Sequence, residues 1–110
     1  MKLPAPIYVR SFDLAAWILQ RFDEPGDALG HSLCTQAMQL LDLIALALQN
    51  RDYGQRLDEA DELLVGLRNR LRLAAQIGRI DDRAMLHGLG LANDIGRQIG
   101  ALLKAMHKEQ

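Results

Sequence analysis

The side chains through which this 110-residue chain could hold a metal or run a reaction are three histidines, one cysteine and fourteen carboxylates. His31, His87 and His107 are far apart, and no pair of His, Cys, Asp or Glu takes a metal-ligand spacing backed by further ligands. Asp81 and Asp82 open a predicted helix, where carboxylates complement the N-terminal dipole and cap free N–H groups. The same reading covers Asp58, Glu59, Asp61 and Glu62. No serine or cysteine nucleophile sits beside an evident base. The glycines between Gly88 and Gly96 fall inside a predicted helix and not after a strand, so they form no phosphate cradle. These patterns predict a protein that is not an enzyme, with no catalytic residue, no metal and no cofactor.

One charge feature stands apart. Arg68, Arg70, Arg72 and Arg79 occupy a stretch with no acidic residue between Arg68 and Ile80, and Arg83 follows. At 100° per residue Arg68, Arg72 and Arg79 share one stripe. Guanidinium groups fork onto phosphate, so these four arginines are candidate contacts to RNA or DNA, multiplied if copies assemble into a ring. A structural reading competes with this one. Acids in the first half of a helix and bases in the second follow the macrodipole, and arginines also pair with carboxylates on neighbouring helices. With a formal net charge of -1, the chain lacks the overall basic field of many nucleic-acid binders.

Period and punctuation define the elements that must position these side chains. Leucine and alanine carry most of the 49% hydrophobic content while aromatics make up only 5%, which suits helices better than strands. A first helix is predicted over about Tyr8 to Phe22, with Phe12, Ala15, Leu19 and Phe22 as its core stripe, widened by Leu14 and Ile18. Pro25 and Gly26 end it. A second helix runs from about Leu29 or Ser32 to Gln49, burying Leu33, Ala37, Leu40, Leu41, Ile44, Ala47 and Leu48. A short turn over Asn50 to Gly54 follows, with Asp52 placed to cap the next helix. The third helix, about Tyr53 to Ile77, carries Leu57, Ala60, Leu64, Leu67, Leu71 and Ala74 in a coiled-coil-like seam. Gly78 is a natural stop and Asp81 a natural cap for the fourth helix, about Asp82 to His107, whose apolar side holds Met85, Leu86, Leu89, Ala92, Ile95, Ile99, Leu102, Leu103 and Met106. Short connections between such helices predict one all-α domain, an up-down-up-down antiparallel four-helix bundle.

Cys34 is the lone cysteine, which excludes an internal disulfide and reads as a small buried thiol in a reducing, cytoplasmic setting. No apolar run is expected to approach the roughly 20 residues of a membrane span, and the N-terminus lacks a signal-peptide core, so no membrane partner is expected.

Several apolar side chains fall outside the predicted core faces. Trp17 projects among Arg10, Asp13, Gln20 and Arg21; Val65, Leu73 and Ile77 lie off the third helix's seam, and Leu46 lies off the second helix's stripe. These five are candidate oligomer-interface residues, Trp17 as the anchor, although scattered surface apolar residues are also ordinary. In the fourth helix, Gly88, Gly90, Gly96 and Gly100 each cost roughly 0.5 to 1 kcal/mol relative to alanine, which predicts close packing against a neighbour, most simply one in the same chain.

Four segments together carry a resemblance: Phe12-Asp13-Leu14-Ala15-Ala16-Trp17, Phe22-Asp23-Glu24-Pro25, the arginine-rich run from Leu67 to Ala74, and Asp94-Ile95-Gly96-Arg97-Gln98-Ile99-Gly100. Over nearly its whole length the chain resembles the four-helix proteins encoded in ribosomal RNA intervening sequences, and most of all the accessory variability proteins of diversity-generating retroelements. The resemblance implies a ring-shaped homopentamer that binds RNA and a reverse transcriptase partner. This chain departs from those accessory proteins in being slightly acidic where they are strongly basic. No individual binding residue carries over from the family. The alternative is a protein-interaction module of the same fold with no nucleic-acid role.

Overall fold

The periodic leucines and alanines close into four helices, described over residues 5–49 and 52–108 of a computed structural model. They are α1 (Pro6–Phe22), α2 (Ala28–Leu48), α3 (Tyr53–Gln76) and α4 (Asp82–Lys108), and no strand occurs among the described residues. α1 starts two residues before the predicted Tyr8, because Pro6 occupies the first helical position, where its missing N–H is not needed and its fixed φ suits the helix. Each helix packs on two neighbours, α1 on α2 and α4, α3 on α2 and α4, which is the square arrangement of an up-and-down bundle.

The turn between α3 and α4 forms as its residues predict. Gly78 takes φ +80°, its N–H donates to the Ala75 carbonyl at 3.1 Å, and the Arg79 N–H donates to the Ala74 carbonyl at 2.8 Å. This paired closure satisfies carbonyls that the helix end would leave open. Asp81 Oδ1 then accepts the Ala84 N–H at 2.8 Å and caps α4. The cap expected from Asp52 does not form. Asp52 sits at φ +50° and its carboxylate makes no cap bond, lying instead 4.0 Å from Arg56. Asn50 and Arg51, the start of that predicted turn, lie outside the described residues.

The core joins all four helices. The α3 seam of Leu57, Ala60, Leu64, Leu67, Leu71 and Ala74 is buried throughout, as its period predicts. On α1 the stripe is rotated from the predicted one. Ile7, Ser11, Leu14, Ile18 and Phe22 face the core, whereas Phe12 is 54% exposed and Leu19 only half-buried. The small Ser11 fits because its hydroxyl donates to the Ile7 carbonyl at 2.8 Å, so its own buried oxygen is paired. Leu86 and Leu48, placed on core faces by sequence, are exposed.

α2 also corrects an expectation. It is 21 residues long and, by length and composition alone, apolar enough to cross a membrane, contrary to the reading that no such run exists. Its buried side, Leu33, Ala37, Leu40, Ile44 and Ala47, is in the bundle core. Most of its remaining apolar side chains are half-buried, and of the large ones only Met38 and Leu48 are exposed.

Candidate interaction surfaces

Trp17 was the expected interface anchor, and the structure places it elsewhere. It is 9% exposed and belongs to the core, wedged between α1 and α4. Gly88 makes room for it: a Cβ there would stand 2.8 Å from Trp17 Cζ3 and 3.1 Å from Leu71 Cδ1. The His87 ring lies 5.5 Å from the indole centroid, and the Arg21 guanidinium stacks over it at 4.8 Å. Arg21, which flanks Trp17 on the wheel, is therefore an edge group that closes over a buried indole. Arg10, two turns before Trp17 on α1, bridges the same two helices by meeting Asp94 of α4 at 3.1 Å.

The four candidate arginines do not form one surface. α3 ends at Gln76 and Gly78 turns the chain, so Arg79 leaves the helical stripe on which it was counted. Its guanidinium lies 2.6 Å from Asp27 Oδ2, at the start of α2. Arg68 donates from Nε to Asn93 Oδ1 on α4 at 2.9 Å, and its Nη2 fills the space beside Gly96, 2.7 Å from where a Cβ would be. Arg70 reaches along the α2 side, filling the equivalent space at Gly66. Arg72 alone of the four is exposed on α3 without an ion-pair partner among the described residues.

The Asp27 carboxylate faces the Gly30 amide at the open end of α2, and Gly30 is required there because a Cβ would collide with Asp27 Oδ2 and stand 2.6 Å from the Phe22 carbonyl. The Gly30 N–H holds the Asp27 carboxyl below its ordinary range, with Arg79 acting in the same direction and burial opposing both. Burial, and then the carboxylates of Asp23 and Asp27, push the Cys34 thiol up and keep it protonated. No group of three or more His, Cys, Asp or Glu able to hold a metal occurs among the described residues.

Of the other candidate interface residues, Val65, Leu73 and Ile77 are exposed on α3, outside the seam as predicted. Leu46 is half-buried in a groove between α2 and α3. The sequence reading missed an exposed apolar pair on α1 and α2. On α1, Phe12 lies on the side away from Arg10, Trp17 and Arg21, which face α4, and so toward α2, while Val9 and Ala16 lie nearly opposite the core. On α2, Met38, Leu41, Ala45 and Leu48 lie on the side away from Leu43 and Leu46, which face α3, and so on the α1 side. Val9, Phe12, Met38 and Leu48 are all exposed, and the Phe12 ring touches only Tyr8 among the aromatics, at 6.3 Å. The signal in the sequence was the step of Met38, Leu41, Ala45 and Leu48, a second apolar stripe on a helix that already had one. No family model matches the chain, and no curated protein or solved structure is detectably similar to it.

Proposed function

We propose that the protein is a non-enzymatic, self-associating four-helix scaffold that acts as an accessory by presenting surfaces. The observation that supports this reading is the α1/α2 side, where Phe12 of α1 and Met38 of α2 are both exposed, at 54% and 45%. Exposed large apolar side chains on neighbouring helices are a feature of subunit contacts. A ring of five copies, RNA or DNA binding and a reverse transcriptase partner are the finer form of the proposal, and the sequence resemblance supports them. Light scattering on the purified protein tests the proposal: a mass that is a multiple of 12.3 kDa at micromolar concentration supports it, and a 12.3 kDa species overturns it.

The internal engagement of Arg68 and Arg79 favours the second reading, a protein-interaction module without a nucleic-acid role, because two of the four phosphate candidates already have partners. A gel shift with structured RNA at low salt separates the two, since phosphate contacts are strongest there.

A further inference from the structure

Between α2 and α3 runs a groove of about 510 Å³, within the usual range of ligand-binding clefts. Leu43 and Leu46 of α2 and Leu63 of α3 form its floor, all half-buried. Asp42, Glu59 and Glu62 form its rim, and at Gly66 the wall is completed by the Arg70 guanidinium, whose Nη1 lies 2.7 Å from where a Cβ would stand. These residues converge because steps of three and four place them on the two helix edges that face each other.

Three carboxylates line this groove, with Arg70 at its Gly66 end the nearest cation on the wall. Glu59 is already engaged, by Gln55 at 3.2 Å and Arg56 at 3.9 Å, whereas Asp42 and Glu62 have no ion-pair partner among the described residues. Gln36 Oε1, at the same groove, is buried without a donor. An occupant must therefore bring apolar bulk for the floor together with donors and positive charge for the rim. The groove follows α2 from Gln36 to Leu46, about 15 Å at the helical rise, or nearly three turns of a docked helix.

We infer that this groove docks a basic amphipathic helix of a partner protein, leucine-type side chains on Leu43, Leu46 and Leu63 and Lys or Arg against Asp42 and Glu62. The inference deepens the accessory reading by naming the chemistry of the client, and it stands on the groove and not on the α1/α2 face.

The probe is a labelled 14-residue helical peptide with leucines on three successive turns and lysines beside them, titrated by fluorescence anisotropy at low salt. Wild-type protein binds it, binding falls at least tenfold for the Asp42→Lys/Glu62→Lys variant, and a peptide with serine in place of leucine loses at least tenfold as well. Both substitutions are on exposed residues, and a circular dichroism melt verifies that the variant folds. Unchanged affinity in the charge-reversed protein, equal binding of the serine peptide, or no binding to wild type overturns the assignment. Sedimentation of the same variant is the second readout: a changed mass gives the groove to another copy and overturns the partner assignment, whereas a wild type that fails to self-associate counts only against the proposed scaffold.

Discussion

The indole of Trp17 lies so close to Gly88 that a single methyl group on that glycine would stand 2.8 Å from Cζ3. A helix-interior glycine normally weakens its helix, so Gly88 persists because the ring of α1 needs the space. Gly88→Ala is predicted to destabilise the fold by about 1 to 3 kcal/mol through overpacking, despite alanine's better helix propensity. Gly90→Ala and Gly100→Ala, where a Cβ meets nothing within 4 Å, are predicted to stabilise by roughly 0.5 to 1 kcal/mol each. Urea unfolding of the three variants checks the opposite signs.

Burial of the single tryptophan gives an optical readout of the fold. Native protein is expected to show blue-shifted emission that iodide quenches weakly, with both properties lost in urea. Trp17→Ala is predicted to cost about 3 to 5 kcal/mol, as for other large aromatic truncations in cores. A native spectrum like that of free tryptophan contradicts the placement of the ring at the α1/α4 seam.

The four helices were legible in the sequence because their punctuation is local chemistry: Pro6, Pro25, Gly78 and Asp81 act within a turn or two of themselves. The α3 seam was legible for the same reason, a strict alternation of threes and fours with polar residues between. The face of α1 was not, since two stripes compete there. One holds Phe12 and Leu19, and the other holds Ser11, a polar residue whose burial depends on a bond to its own helix. Trp17 was misplaced because Arg10 and Arg21 look like solvent neighbours on a wheel, and only the α4 groups Asp94, His87 and Gly88 reveal that they border a seam. Arg79 was misplaced because a wheel continues past the residue where the helix stops.

Asp27 links acid stability to the junction of α2 with the α3/α4 turn. Its folded pKa lies below the ordinary 3.8, so it contributes stability that is fully present above that value and is lost as pH falls through the lowered one. Urea midpoints of wild type and Asp27→Asn are predicted to differ at pH 7 in favour of wild type and to converge toward pH 2. A difference independent of pH contradicts this role.

Cys34 is predicted to react slowly with thiol reagents at pH 8 in the native protein and at the rate of a free thiol in urea, since burial and two carboxylates disfavour the thiolate. Reaction of the native protein at the unfolded rate removes that account.

The central claim is that the apolar face shared by α1 and α2 joins copies of this chain, and its most direct test is sedimentation equilibrium of wild type beside a Phe12→Asp/Met38→Asp variant. Both residues are about half exposed, at 54% and 45%, so the substitutions leave the core in place. The account predicts an oligomeric wild type and a folded 12.3 kDa variant. Equal masses for the two proteins contradict it.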